Sequence, residues 1–164
     1  MANCKLVALD LDKTLWDHPD ISSTIPPYRR VDADAIADSL GSLIRLRRGA
    51  REVLRELKRR GIALAVVSWN NYDIAVEALR ALDLLDLFDI VIIEPHPHKD
   101  LMFKRLLKWA RRKGIEAGDV VFLDDNPEMV EKVKRAWPAV RTLRFGHDVH
   151  SFEDLLGLLY PLQG

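Results

Sequence analysis

The sequence contains very little cysteine and no excess of charge of either sign. Of its 164 residues only Cys4 is a cysteine, which excludes an intrachain disulfide framework and a four-cysteine zinc site. A chain with one thiol fits a reducing compartment, so we expect a cytoplasmic protein. Lys and Arg number 25, as do Asp and Glu. This balance argues against a dedicated binder of nucleic acid or of an anionic membrane, because such proteins normally carry a large cationic excess.

Long hydrophobic runs, internal repeats and low-complexity tracts are missing as well. The apolar stretch near the N-terminus is interrupted by Asp10 and Asp12, which excludes a signal-peptide core and a membrane span there. The length and the 48% hydrophobic composition are those of a chain that buries one sizeable core. We therefore expect a single domain over residues 1–164.

Short β-branched runs alternate with longer stretches of helical spacing, which predicts an α/β fold with a parallel sheet covered by helices. The predicted strands are Lys5 to Leu11, Ile62 to Ser68, Asp89 to Glu94, Val120 to Leu123 and Val140 to Arg144. The predicted helices are Ala50 to Arg60, Asp73 to Leu82, Leu101 to Lys113, Asn126 to Trp137 and a last short helix capped by Ser151.

Residues 17–49 interrupt this alternation. They contain three prolines and two candidate short strands around Ala35 and Leu43. The segment Asp38 to Gly41 between those strands suits a hairpin turn. We predict a small hairpin flap, because the segment is too short for an independent domain.

Ligands of open α/β sheets bind outside the carboxyl ends of the strands, so polar residues that end apolar runs are candidate site residues. Asp10 and Asp12 follow the first strand, and on an extended backbone both would point to the same side. Two carboxylates at such a short separation repel each other, so the site needs a divalent cation or one protonated carboxyl group. A single Asp would fit an ordinary turn, whereas two beside an apolar run favour a chemical role.

Three further polar clusters follow later strands. Ser68 can donate to an anion, although Ser is also a common turn residue. Lys99 can neutralise a phosphate or a carboxylate cluster, or it is one more solvated lysine. Asp124 and Asp125 suggest a hard cation with oxygen ligands, or an Asp-rich helix cap. Together, these acids, the hydroxyl and the lysine favour phosphoryl transfer with a nucleophilic carboxylate and a metal ion.

The four clusters resemble the motifs of the haloacid dehalogenase (HAD) superfamily of phosphatases. That pattern is D-x-D-x-T, a strand-terminal serine, a later lysine and a terminal acidic pair. In this sequence the matching residues are Asp10, Asp12, Thr14, Ser68, Lys99, Asp124 and Asp125, and they span essentially the whole chain. The segments LDLDKTLW and FLDDN, with a hairpin in place of a cap domain, are most similar to the magnesium-dependent phosphatase-1 family. The resemblance implies a three-layer Rossmann-like parallel sheet, the HAD fold, with the first strand central and no full cap domain.

The resemblance also implies roles for the acids. Asp10 would attack phosphorus and form an aspartyl-phosphate, and Asp12 would protonate the leaving oxygen and then take a proton from the hydrolytic water. Mg²⁺ would be the cofactor, held by the Asp10 carboxylate, the Asp12 backbone carbonyl and the Asp125 carboxylate. Asp124 would support Lys99 or a metal-bound water.

The remaining roles concern the substrate. Phosphoryl oxygens would be held by Ser68, Lys99 and the Thr14 region. Without a full cap the site would be open and would admit a sugar phosphate or a phosphorylated side chain such as phosphotyrosine. The candidates to line its entrance are Trp16, Trp69 and Asn70, although a Trp beside a strand is more often part of the core.

Three other functions share parts of this pattern. A dehalogenase needs no acid two residues after the nucleophile, since halide leaves without a proton, so Asp12 disfavours it. A phosphomutase normally adds a helical cap, for which residues 17–49 are too few. A phospho-accepting receiver domain remains the alternative, but its lysine comes last in the chain, whereas Lys99 precedes Asp124. A receiver would keep its phosphate, whereas a phosphatase releases it repeatedly.

Overall fold

The computed structural model describes residues 4–161, and its central element is a five-stranded parallel sheet. In chain order, the strands of the described residues are β1 (Leu6–Leu9), β2 (Arg29–Asp32), β3 (Ala35–Ala37), β4 (Leu43–Arg45), β5 (Ala63–Trp69), β6 (Ile90–Glu94), β7 (Val120–Asp124) and β8 (Arg141–Arg144). The order within the large sheet is β6-β5-β1-β7-β8, and all its neighbouring pairs are parallel. The predicted Rossmann-like fold class with a central first strand is confirmed.

Helices cover both faces of this sheet. They are α1 (Ala50–Arg59), α2 (Tyr72–Ala81), α3 (Lys99–Arg112), α4 (Pro127–Ala136) and α5 (Phe152–Leu159). Along β1, Val7 and Leu9 join an apolar cluster with α1, α2 and α5, whereas Leu6 and Ala8 join a second cluster with α3 and α4. Burial on both faces explains why β1 is a continuous apolar run rather than an alternating one. Within residues 4–161, no helix is both long and apolar enough to cross a membrane.

The predicted flap contains a second sheet, antiparallel, in the order β2-β3-β4. The hairpin turn lies where expected: the Asp38 N–H donates to the Ser42 carbonyl oxygen at 2.9 Å, and Gly41 has φ +89°. Strand β2 was not predicted, because all of its residues are exposed and show no apolar alternation. The flap rests on the main core through Ile36 and Ile44.

Two helices begin earlier than predicted. The N-cap of α2 is Asn71 rather than Asp73, since the Asn71 side chain accepts from the Ile74 N–H at 3.1 Å. Helix α3 begins at Lys99 instead of Leu101, directly after a segment that its prolines keep non-helical. This second difference matters for function, because it places Lys99 in the first turn of a helix, where it is buried against the sheet.

Candidate active site

The candidate site lies at the carboxyl ends of β1, β5 and β7, which are adjacent in the sheet. Asp10 directly follows β1, and its N–H donates to the Leu123 carbonyl oxygen at 2.9 Å, so the ladder with β7 continues to this position. Asp124 ends β7, and Ser68 lies one residue before the end of β5. Parallel pairing thus brings together side chains that are far apart in the chain.

Lys99 forms a buried ion pair with two of the acids. Its Nζ lies 2.8 Å from Asp10 Oδ1 and 2.5 Å from Asp124 Oδ2, and only 2% of its side chain is exposed. Burial disfavours the ammonium, but the charges of Asp10 and Asp124 outweigh that effect and raise the pKa of Lys99. Burial and the charge of Asp10 also raise the pKa of Asp124, against the opposing effect of Lys99.

The acids at this edge outnumber the cation that faces them. Asp10, Asp124 and Asp125 each have a carboxylate oxygen within 4.8 Å of the others. Burial and the charge of Asp10 raise the pKa of Asp125. Carboxylate oxygens at such separations are the ligands that a hard divalent cation prefers, and one ammonium cannot neutralise all three. The residues present therefore fit a divalent metal ion.

Thr14 connects the ends of β1 and β7. The chain turns at Lys13, which has a φ of 60°, and brings the Thr14 hydroxyl within 3.2 Å of both Asp10 Oδ2 and Asp125 Oδ1. That hydroxyl oxygen also accepts from the Asp125 N–H at 3.0 Å. Thr14 is fully buried and its hydroxyl bonds to both acids, while the contact of the Thr14 region with phosphate stays a prediction.

Asp12 is held apart from the three clustered acids. Its carboxylate is not part of the group within 4.8 Å, although Asp12 and Asp10 line the same small cavity. Asp12 Oδ1 accepts from Trp16 Nε1 at 2.9 Å and from the Ile21 N–H at 3.0 Å, and Oδ2 accepts from Asn70 Nδ2 at 3.0 Å. Burial nevertheless outweighs these donors and raises the pKa of Asp12 to about 6. A carboxyl group with such a pKa can both give and take a proton near neutral pH.

The residues that line the entrance differ from the prediction at Trp16. Trp16 is fully buried, because its ring lies in the core while its N–H binds Asp12, so it does not line the entrance. Asn70 is 5% exposed, and its Nδ2 bridges Asp12 and Ser68, at 3.0 and 3.1 Å. Trp69 is 51% exposed and lines the opening. The sequence did not predict that Trp16 and Asn70 donate hydrogen bonds to the Asp12 carboxylate. The only sequence feature that could have indicated these bonds is the position of Trp16, four residues after Asp12.

Two adjoining cavities open beside these residues. One, of about 170 Å³, is bounded by the clustered acids together with Lys99 and Lys13. The other, of about 510 Å³, extends from Asp12 toward the flap side of the sheet. Asp12, Pro19 and Trp69 line both cavities, so the two lie side by side. A further cavity, of about 620 Å³ beside α4, contains none of the motif residues.

The chain matches a known protein family over most of its length. The sequence profile of the family described as Acid Phosphatase matches residues 3–154. A search of curated protein sequences found no match.

Solved structures share the fold at low identity. The N-terminal part of the protein BF1531 from Bacteroides fragilis, described as containing a phosphatase domain complexed with Mg, is 22% identical with a TM-score of 0.66. The match covers 98% of this chain but only 41% of that one. A HAD-superfamily hydrolase from Geobacter sulfurreducens is 16% identical with a TM-score of 0.67, and the match covers 96% of this chain and 99% of that one.

A structure described as a dehalogenase with intermediate complex is also similar. It is 20% identical with a TM-score of 0.59, and the match covers 71% of this chain and 57% of that one. Likeness at such identities shows the fold alone. Because a phosphatase domain and a dehalogenase share it, the reaction has to be argued from the side chains.

Proposed function

The chain belongs to the acid phosphatase family, and from that premise we propose that it is a Mg²⁺-dependent phosphatase of the HAD type that hydrolyses phosphomonoesters through an aspartyl-phosphate. Within the family, the segments LDLDKTLW and FLDDN favour kinship with the magnesium-dependent phosphatase-1 proteins. The single observation that carries the proposal is the pair of differently held acids: Asp10 is bound to the Lys99 ammonium, whereas Asp12 accepts hydrogen bonds from three neutral donors. Two carboxyl groups with such different environments suit a nucleophile and an acid–base group.

Asp10 is the proposed nucleophile. Its bond to Lys99 at 2.8 Å pairs a carboxylate, the form that attacks phosphorus, with an ammonium. Lys99 and the Thr14 hydroxyl hold the carboxylate in place before substrate arrives, so little ordering remains to be done during the attack. A new bond forms between an Asp10 oxygen and phosphorus while the ester oxygen leaves.

Asp12 is the proposed acid–base group. In its protonated form it gives its proton to the departing ester oxygen, and the resulting carboxylate then takes a proton from the water that attacks the aspartyl-phosphate. That second step releases inorganic phosphate and restores both acids. The three donors from Trp16, Ile21 and Asn70 fix the carboxylate in one orientation for both steps.

Mg²⁺ fits the acidic cluster. The Asp10 and Asp125 carboxylates and the Asp12 backbone carbonyl would hold it, while Asp124 supports Lys99. When bound, it would neutralise phosphate charge and so let an anionic ester approach an anionic nucleophile.

The phosphoryl oxygens have two further partners. The Ser68 oxygen accepts from Asn70 Nδ2 at 3.1 Å, which leaves the hydroxyl hydrogen available to donate to a phosphoryl oxygen. Lys99 supplies positive charge from the same edge. We retain Ser68, Lys99 and the Thr14 region as the proposed phosphate-binding groups, and the Thr14 hydroxyl also bonds to the acids.

The presence of a proton donor, Asp12, favours a phosphatase over a dehalogenase or a receiver domain. A halide leaving group needs no proton, so a dehalogenase would not need Asp12 held by three donors. A receiver domain stores its phosphoryl group and has no use for an acid–base residue beside the acceptor. Both rivals therefore leave Asp12 unexplained.

The test combines turnover with capture of the intermediate. Asp10→Asn should abolish the Mg²⁺-dependent hydrolysis of acetyl phosphate and p-nitrophenyl phosphate while the circular dichroism spectrum stays unchanged. Acid quenching of the unmodified protein during turnover should yield a peptide with one phosphoryl group on Asp10. Asp86→Asn, which removes an exposed acid elsewhere, is the matched control and should retain turnover. Substantial hydrolysis by Asp10→Asn would refute the nucleophile, and a single phosphorylation without turnover would favour the receiver domain.

A further inference from the structure

The cavity of about 510 Å³ is placed to receive the group that leaves the phosphate. Asp12 lines it and also lines the smaller cavity that contains Asp10 and Lys99. Because Asp12 delivers its proton to the ester oxygen, the rest of the leaving group must extend to the side of Asp12 that faces away from Asp10. Only the larger of the two cavities has a volume typical of organic ligands.

Charge is divided unequally between the two cavities. Lys13 and Lys99 are among the residues that line the smaller one. No lysine, arginine or histidine is among the described residues that line the larger one, whereas Asp12 and Asp20 both are. Asp12 is protonated in the step that releases the leaving group, so an anion there would meet the Asp20 carboxylate and no cation, and the cavity penalises it.

The uncharged part of the lining combines flat apolar surfaces with polar edges. Trp69 is 51% exposed and stands beside Pro19 and Pro95, while Ser22, Asn70 and Asn71 supply hydroxyl and amide groups. A sugar ring has the same combination, with an apolar C–H face and hydroxyl groups around its edge. An aryl ring would stack on Trp69 but would make no hydrogen bond to the exposed Ser22 hydroxyl or the exposed Asn71 amide, which a sugar hydroxyl can contact.

We propose that this cavity is the leaving-group subsite and that it selects an uncharged, hydroxyl-bearing ring, such as a hexose, over leaving groups with a second anion. The inference rests on the proposed phosphatase function. It assigns specificity to Trp69, through the face of the ring, and to Asp20, through charge.

Matched substrates test the charge rule. Glucose 1-phosphate and glucuronic acid 1-phosphate differ only in a CH₂OH group or a carboxylate, and galactose 1-phosphate and galacturonic acid 1-phosphate form a second pair. With the Mg²⁺-loaded protein we expect kcat/KM to favour the neutral member of each pair several-fold, given the repulsion from Asp20 in a cavity whose described lining has no cation. Asp20→Asn keeps a residue that can cap the following turn and should reduce this preference. Asp86→Asn removes the same charge outside the cavity and should leave the preference unchanged.

Substitution of Trp69 tests the stacking face. Trp69→Ala should raise KM for glucose 1-phosphate several-fold, and Trp69→Phe, which keeps a flat ring, should raise it less. Trp69 is half exposed, so neither change removes core packing. Equal KM values for the two variants and the unmodified protein would overturn the assignment of Trp69.

Acetyl phosphate separates failure of the inference from failure of the proposed function. It carries no ring, so its hydrolysis reports the catalytic residues alone. If acetyl phosphate is not hydrolysed, the proposed function fails. If it is hydrolysed but neutral and anionic sugar phosphates react equally, or phosphotyrosine reacts faster than every sugar phosphate, the phosphatase stands and the assignment of the subsite is wrong.

Discussion

The surroundings of Asp12 determine the pKa of its carboxyl group. Three donors favour its carboxylate form, yet burial outweighs them and raises the pKa to about 6. A carboxyl group with its ordinary pKa would be almost fully ionised at neutral pH and could rarely serve as an acid. The burial of Asp12 is thus the feature that makes it suitable for both proton transfers.

The pKa of Asp12 predicts an alkaline limb in the pH profile. The first step needs protonated Asp12, so kcat/KM for an alkyl phosphate should fall about tenfold per pH unit above about pH 6. Hydrolysis of p-nitrophenyl phosphate should fall less, because its leaving group hardly needs a proton.

Trp16→Phe keeps an aromatic ring but removes a donor to the Asp12 carboxylate, so it should raise the pKa of Asp12 and move the alkaline limb of the pH profile to higher pH. Identical limbs in both proteins would contradict the role of the indole N–H.

Lys99 is the second residue whose surroundings matter. It is 2% exposed and bridges two acids, so its removal leaves buried carboxylates without a counter-charge. Breaking a buried ion pair in this way is strongly destabilising.

We predict that Lys99→Met lowers the free energy of unfolding by about 3–5 kcal/mol in metal-free buffer at about pH 8. Burial already raises the pKa of Asp124, and without the ammonium it lies higher still in the folded than in the unfolded state, so the folded state binds more protons. The loss should therefore be smaller at about pH 5, as urea unfolding at both pH values would show. Lys108→Met, on the exposed face of the same helix, should change stability by about 0.5 kcal/mol or less. Equal losses at both pH values would count against uncompensated carboxylates.

At the scale of elements, the passage from the flap into α1 depends on Gly49. Gly49 is the N-cap of α1 and has φ +78°, in the left-handed region that side chains disfavour. A Cβ built on it would lie 2.0 Å from Glu153 Oε1, in the first turn of α5. The start of α1 and the start of α5 are thus in contact at this glycine, and the Glu153 carboxylate lies near the positive end of the α1 dipole.

Gly49→Ala should lower the free energy of unfolding by about 1–2 kcal/mol, because the backbone must keep its left-handed conformation even after the flexible Glu153 side chain moves away. Gly118→Ala is the matched control, since its Cβ would meet nothing within 4 Å and its φ is not in the left-handed region. That control should change stability by about 0.5 kcal/mol or less. Similar values for the two variants, measured by urea unfolding, would argue against strain at Gly49.

At the scale of the whole molecule, a chain with a formal charge of +0 concentrates several acids at one edge of its sheet. In the folded state these carboxylates repel one another, whereas in the unfolded chain they are separated and solvated. A cation that binds only the assembled cluster therefore stabilises the folded state by mass action.

Mg²⁺ should accordingly raise the melting temperature of the metal-free protein. At a concentration of 100 times its Kd, the stabilisation expected from linkage is about 2.7 kcal/mol. EDTA should abolish phosphatase activity, and added Mg²⁺ should restore it. Asp125→Asn should weaken the thermal shift, whereas Asp86→Asn should retain it. Full activity after chelation would remove the metal from the mechanism.

The sequence by itself determined the succession along the chain of the five helices and of the five strands of the large sheet. It also determined that this sheet is parallel and which strand ends carry the motif acids. These features are local: apolar runs buried on both faces, capping residues such as Asn126 and Ser151, and a turn that ends in Gly41. Each depends on residues within a few positions of one another, so a single sequence contains the information.

Only the tertiary structure decided which side chains meet. Trp16 is buried and donates to Asp12, and Asn70 donates to Asp12, 58 positions away in the sequence, as well as to Ser68. The exposed strand β2 pairs with β3 without any apolar signal of its own. Burial raises the pKa of Asp12, and the charges of Asp10 and Asp124 raise the pKa of Lys99 against burial; both are properties of the packed chain and not of neighbours in sequence. Contacts between distant segments have no local pattern, and for that reason the motif residues could be predicted while their partners could not.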